Sequence, residues 1–475
     1  MGLVFTYWQT KVMLKTEIGI SRNLINQAVV LQSLLLLGTP SLIHTYIQRY
    51  QEGDGRRGAL LGTALLVPLA GSLLFCVPYF LLRNWIISKY QLVDQPYLYR
   101  FFAWLPVLTL LWSYMTLLEF YIVSKMKVAL SNFMREVVLR MVNLVLLGLF
   151  ALGWIDLEAF IAGMVLSYAL PVIFLTIIAY RQNETRLSLN WNSFSKIEVK
   201  EIVRYTWYHF LIGSILNLLA FIDSLMLAPL SKDGTSALAV YGLAVLLVSV
   251  VSIPYRAMVA AAFPKLNEAF ISGDQEHLKH LFMRANLNII VATAFMGVLV
   301  LCNAHNAVKI LPPGYETLAP VFLILFLGRL MDVATGLNQE LISITPHYRF
   351  TLWAALVYIC LAVVGNRLFI PTYGVYGAAW VSTCGLVVYN IIKAIYLKKK
   401  FGLYPFPKKG LWIFPIIGLS YGASLLIPRL SNPFADGLIR TPLVGIVMLV
   451  LILWLQPSAD VKEHWQAMRK NKRLF

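Results

Sequence analysis

Residues 59–82 read ALLGTALLVPLAGSLLFCVPYFLL, a stretch without one charged side chain, preceded by Arg56 and Arg57 and followed by Arg83. As a helix rising about 1.5 Å per residue, it is long enough to cross a hydrocarbon core of roughly 30 Å. A backbone in that medium must satisfy its own hydrogen bonds, which leaves the helix as the natural form for an isolated apolar run. Working outward, runs of the same kind lie at 23–43, 101–123, 137–154, 159–180, 205–230, 238–263, 287–308, 318–341, 351–370, 378–397, 411–428 and 438–455. Residues 1–14 are apolar and aromatic but too short for a full span. They lack the basic start and small-residue cleavage site of a signal peptide. They read as the second half of a first helix whose beginning is missing or shortened, so the sequence predicts an all-α polytopic membrane protein of about fourteen spans.

Composition agrees with that reading. Of 475 residues, 59% are hydrophobic and 13% charged, and the mean hydropathy is +0.71. A soluble chain of this length carries about a quarter charged residues. The formal charge of +18 is not a nucleic-acid signature, because the Lys and Arg residues sit in short breaks between apolar runs. With both termini inside, the predicted cytoplasmic segments hold 27 of them. The outside segments hold at most 11, even with Lys11, Lys15 and Arg22 counted there. That asymmetry is the topology signal of an inner-membrane protein. The longest break, 181–204, is too short for a globular domain and predicts an amphipathic stretch at the interface. Cys76, Cys302, Cys360 and Cys384 all lie in apolar runs without CxxC spacing or a His cluster, so buried thiols are expected, and neither a metal nor a cofactor. Asn183-Glu184-Thr185 matches a glycosylation acceptor by three residues only, on a loop expected to face the cytoplasm. The Trp and Tyr residues gather at span ends as aromatic belts do.

A repeat shows faintly. Gly53-Asp54 follows the second span and Gly273-Asp274 the eighth, 220 residues apart, and each of these spans carries a proline, Pro40 and Pro254. The sixth and twelfth spans also correspond in their flanks. Six helices per unit is an even number, so duplicated halves keep one orientation in the membrane.

Certain motifs resemble a known family. Phe221-Ile222-Asp223-Ser224-Leu225-Met226-Leu227, then Ala239-Val240-Tyr241-Gly242-Leu243-Ala244, then Ala261-Ala262-Phe263-Pro264-Lys265-Leu266 and Gly273-Asp274, are similar to the seventh–eighth helix region of Wzx-type oligosaccharide flippases of the multidrug/oligosaccharidyl-lipid/polysaccharide exporter superfamily. Ile370-Pro371-Thr372-Tyr373-Gly374-Val375-Tyr376-Gly377-Ala378-Ala379-Trp380 resembles that family's turn into helix twelve. Glu17-Ile18-Gly19, Ser21-Arg22 and Leu37-Gly38-Thr39-Pro40 resemble its first–second helix region. The resemblance implies two six-helix lobes around a central cavity, 1–204 and 205–400, then two further helices and a basic tail at 401–475. It also implies translocation of undecaprenyl-diphosphate-linked oligosaccharide across the bacterial cytoplasmic membrane by alternating access, for O-antigen, capsule or lipopolysaccharide assembly. The implied partners are that lipid-linked substrate, membrane lipids, and polysaccharide polymerase and assembly proteins.

An ionisable side chain at mid-membrane costs roughly 2.5–3.5 kcal/mol on insertion scales and marks a functional candidate. The tenth span carries Arg329, Asp332, Gly336 and Gln339/Glu340 on one helical face. Arg329 reads either as a cation offered to substrate with Asp332 as its gate, or as a partner of Asp332 alone. In the eighth span Ser249, Ser252 and Arg256 share a face beside Pro254, and Arg256, which has no local acid, reads as a cation lining a cavity or as one snorkelling to the interface. A guanidinium fork matches the oxygens of a diphosphate. The basic residues that flippases of the resembling family keep on helices one, two and eight fall here at Arg22, Arg49 and Arg256. Arg49 reads equally as a cytoplasmic anchor. Asp223 on the seventh span, Asp332, and Glu119 near the inner end of the fourth are candidates for a coupling ion or for structural hydrogen bonds. His209 reads more simply as a packed histidine. A drug/cation antiporter of the same superfamily calls for an acidic cavity, and a polytopic polymerase or glycosyltransferase for a large outside loop. Neither feature stands in this sequence, so a transporter rather than an enzyme is expected.

Overall fold

The computed structural model describes residues 2–50, 54–125, 127–182, 187–345, 349–403 and 408–455. Among them every regular element is helical. The chain divides into two compact units, Met1–Ala239 and Val240–Phe475.

Among the described residues seven helices are long and apolar enough to cross a membrane, and three bent helix pairs bring the number to ten if each pair is one span. The 59–82 run lies in the Gly55–Leu81 helix. Its outward face carries Leu74, Val77 and Leu81 at 78%, 63% and 80% exposure. Side chains so apolar and so exposed belong against lipid rather than water. The runs at 351–370 and 378–397 are two helices within the helical segment Arg349–Phe401, parted where Gly374 leaves helical geometry at φ 54° and ψ −128°. Residues 1–14 become a separate short helix, Gly2–Val12, which packs on Leu139–Ala151.

The two prolines of the faint repeat mark real breaks. Lys15–Leu35 and Thr39–Arg49 meet at 58°, with Pro40 opening the second helix, and Ser236–Val251 and Ile253–Ile271 meet at 45°, with Pro254 in the same place. Proline lacks an N–H and crowds the preceding turn, so a bend is the expected response. The Gly-Asp pairs have a physical reason as well. Asp54 accepts from the Arg56 backbone N–H at 2.8 Å, and Asp274 from that of His277 at 2.9 Å, so each aspartate caps the helix that follows. The Arg56 guanidinium and backbone N–H hold the Asp54 carboxyl below the ordinary carboxylate range.

Residues 196–204 open the long Lys196–Leu230 helix, capped reciprocally by Ser195 and Glu198. The segment before it lies on the Gly55–Leu81 helix, where Trp191 Nε1 donates to Thr63 Oγ1 at 2.9 Å. The Asn183-Glu184-Thr185 acceptor lies outside the described residues. The four cysteines are free thiols. Cys302 is buried as expected and Cys76 is half-buried, but Cys360 and Cys384 are exposed on the Arg349–Phe401 helix. An apolar run does not tell which face turns inward.

The tenth span is not one helix either. Leu318–Ala334 and Asn338–Ile344 meet at 44°, around Gly336 at φ 62°. The Asn286 side chain fills the break, its Oδ1 accepting from the Leu337 N–H at 2.9 Å. A Cβ on Gly336 would stand 1.9 Å from that oxygen. Gly336→Ala is therefore expected to cost about 2 kcal/mol or more through left-handed strain plus collision. Thermal melting in detergent checks this, with Gly213→Ala, whose Cβ meets nothing within 4 Å, as the unchanged control.

Candidate functional site

A polar assembly inside the second unit surrounds the Leu318–Ala334 helix. Arg329 pairs with Asp332 one turn on, and its Nε donates to Ser252 Oγ at 2.8 Å. The same guanidinium lies 4.9 Å over the Tyr255 ring. Asp332 also accepts from Asn390 Nδ2 at 2.9 Å, and Asn390 Oδ1 in turn accepts from Thr335 Oγ1 at 3.0 Å. Tyr255 donates to Glu340 Oε1 at 3.3 Å, and Tyr389 to Gln339 Oε1 at 3.0 Å. Glu340 Oε2 is enclosed without a hydrogen bond among the described residues. Lys393 completes the set, 3% exposed, with its Nζ 4.0 Å over the Tyr389 ring.

The bend at Gly336 positions these groups. Arg329 and Asp332 ride one helix, Gln339 and Glu340 the next, and the break keeps both pairs near the Arg349–Phe401 helix. Two cations and two carboxylates sum to zero, the arrangement a low-dielectric interior tolerates best. A change of one proton or the arrival of one ion alters that balance, which suits an ion-coupling role.

The remaining candidates are dispersed. Arg256 is exposed on the Ile253–Ile271 helix just past its bend, and its Nη2 donates to the Ser249 carbonyl at 3.3 Å. Among the described residues no carboxylate pairs with it. In the first unit, Arg22 is half-buried on Lys15–Leu35 and Asp223 is 6% exposed on Lys196–Leu230. Arg49 lies over the Tyr46 ring at 4.4 Å and reaches Glu201 at 3.9 Å, both charged side chains more than half exposed. Exposed pairs of this sort contribute about 0–1 kcal/mol. Glu119, 7% exposed, meets Arg135 Nη2 at 2.6 Å. Arg135 belongs to a π-helical turn, Met134–Val138, a distortion common at functional positions.

Sequence reasoning missed three buried cations, Arg57, Lys393 and Arg440, the last of them 4% exposed and paired with Asp436. Arg57 and Lys393 were counted with the cytoplasmic charges, yet they are 5% and 3% exposed. For Lys393 a signal was present: Tyr389, Asn390 and Lys393 follow helical spacing on one face of a long helix. For Arg57, adjacent to Arg56 and at the first turn of its helix, nothing in the local pattern separates a buried cation from a loop cation.

Residues 1–270 match the family model described as "Polysaccharide biosynthesis protein". No curated protein matches the sequence. Among solved structures, the lipid II flippase MurJ in an inward closed conformation is similar over 95% of each chain, with TM-score 0.73 and 12% identity. An inward-facing multidrug resistance MATE family transporter of the MOP superfamily is similar over 84% of this chain and 94% of its own, with TM-score 0.67 and 15% identity. A MOP superfamily transporter from Pyrococcus furiosus is similar over 84% and 91%, with TM-score 0.58 and 13% identity. At such identities the likeness is one of fold.

Proposed function

The chain belongs to the polysaccharide biosynthesis protein family, and from that premise we propose that it is a flippase for undecaprenyl-diphosphate-linked oligosaccharide. It moves its substrate across the bacterial cytoplasmic membrane by alternating access, making and breaking no covalent bond, in the assembly of a surface polysaccharide such as O-antigen or capsule. Both termini lie in the cytoplasm, the side favoured by the charge asymmetry.

The observation that carries this reading is Arg256. An exposed guanidinium beside a broken transmembrane helix, with a backbone carbonyl as its recorded partner, lacks a counter-anion among the described residues. A diphosphate supplies that anion, and its oxygens match the fork in pairs. Arg22, in the first unit, is a further candidate for binding the diphosphate, and Arg49 for guiding the anion at the cytoplasmic end. Arg329, Asp332 and the groups around them respond to the coupling ion, with Asp223 and Glu119 as further candidates. Polymerase and assembly proteins receive the product.

The drug-antiporter alternative predicts the opposite charge preference, so a binding test separates them. Farnesyl diphosphate, a short-chain mimic, is expected to raise the melting temperature of the purified protein in detergent, and Arg256→Ala to remove that shift. Stabilisation by tetraphenylphosphonium but not by the diphosphate would favour the antiporter.

A further inference from the structure

A polar joint ties three segments of the first unit together, and none of the proposed substrate or ion residues belongs to it. Asp94, at the end of the break after the third span, accepts from the Thr235 backbone N–H at 2.8 Å and from Thr235 Oγ1 at 2.7 Å, 141 residues away. Gln91 Nε2 donates to the Ser231 carbonyl at 3.0 Å. Gln27, on the Lys15–Leu35 helix, donates to Tyr90 OH at 2.8 Å and to Asn23 Oδ1 at 3.2 Å. On that helix Gly19 abuts the turn so closely that a Cβ there would stand 1.9 Å from the Thr235 carbonyl oxygen.

Asp94, Ser231 and Thr235 are each 0% exposed. They nevertheless belong to two breaks, 83–100 and 231–235, that the charge count places together at the outer surface. Polar side chains there have water available, so packing them dry implies a seal. The chemistry of the seal is also reversible. Among the described residues no cation pairs with Asp94, and Thr235 alone supplies its side-chain hydrogen bonds across the joint. A buried carboxylate held by two donors recovers full hydration when exposed, which offsets much of the cost of breaking those bonds. An apolar joint gains nothing comparable on opening.

We propose that the Asp94–Thr235 joint is an outer gate, closed in this structure, which separates the 231–235 turn from the Lys15–Leu35 helix during each transport cycle. The proposal rests on the flippase reading for its orientation and its cargo. It assigns Asp94 as a positioning residue: it touches no substrate and sets when the helix carrying Arg22 is released. Gly19, one turn before Arg22, transmits the closure by direct backbone contact.

Two measurements test it, both on the full chain in membranes. In a variant without its four native cysteines, Gln91→Cys and Ser231→Cys are joined by oxidation. Polysaccharide export is expected to fall at least about tenfold and to return on reduction with dithiothreitol. A bridged protein that exports at the unbridged rate would show a permanent structural joint and overturn the gate. The second measurement needs no cargo. Asn23→Cys, at a position 1% exposed one turn before Gln27 on the Lys15–Leu35 helix, is labelled from outside with a membrane-impermeant maleimide, with and without Asp94→Ala. Labelling is expected to rise several-fold in Asp94→Ala and to stay near the starting level in Asp94→Asn, which keeps an acceptor for Thr235. Equal labelling in all three proteins at equal membrane abundance would refute the gate. If labelling rises but no lipid-linked sugar moves in any variant, the gate stands and the substrate assignment falls.

Discussion

Arg256→Ala is expected to abolish export of the surface polysaccharide while the protein stays in the membrane at its normal level. The side chain is exposed and donates one hydrogen bond, to the Ser249 carbonyl on the preceding helix across the bend, so its loss removes little packing. What it removes is an anion site. Each hydrogen bond to a charged group contributes about 1.5–3 kcal/mol, so losing a two-pronged contact weakens diphosphate binding on the order of a hundredfold or more. Arg256→Lys retains the charge but not the planar fork and is expected to give partial export. Immunoblots of membrane fractions set beside the polysaccharide yield of a deletion strain check both variants. Normal export by Arg256→Ala would remove Arg256 from the site.

The other large effect is expected at Arg329 and Asp332. Asp332→Ala strips Arg329 of its counter-ion and Asn390 of an acceptor, leaving a guanidinium only 23% exposed. Breaking a fully buried pair costs about 3–5 kcal/mol. With this much exposure about 2–3 kcal/mol is a fair expectation, visible as a large fall in melting temperature. The double variant Arg329→Met with Asp332→Leu separates structure from function, because removing both charges together is often nearly neutral for stability. It is expected to regain most of the stability but to leave export defective. Recovery of both would show that the pair serves only to hold the helices.

Much of this architecture was legible in the sequence because the bilayer imposes a single rule, that apolar runs of sufficient length become helices. Pro40 and Pro254 marked the two equivalent bends, and the Gly-Asp pairs marked the helix starts that Asp54 and Asp274 cap. The tenth span was less legible. Helical periodicity placed Arg329, Asp332 and Glu340 on one side correctly, but it assumed a straight helix where Gly336 breaks it. The side chains that complete the cluster come from distant segments, Tyr255 and Ser252 on one side and Tyr389, Asn390 and Lys393 on the other. Spacing within a span carries no information about contacts between spans. The same reason hid Asp94, which looks like an ordinary loop carboxylate until Thr235 is brought to it. Lys393 and Arg57 were masked by the positive-inside rule itself, which counts a cation near a span end without asking whether it is buried.

Reconstitution tests the central claim most directly. Purified protein is placed in liposomes with a fluorescent undecaprenyl-diphosphate-linked oligosaccharide, and the fraction shielded from an external quencher is followed with time. The expected result is transbilayer movement by the native chain and movement at the protein-free rate by Arg256→Ala. Native protein that moves the lipid-linked sugar no faster than empty liposomes under an imposed ion gradient of either sign would contradict it.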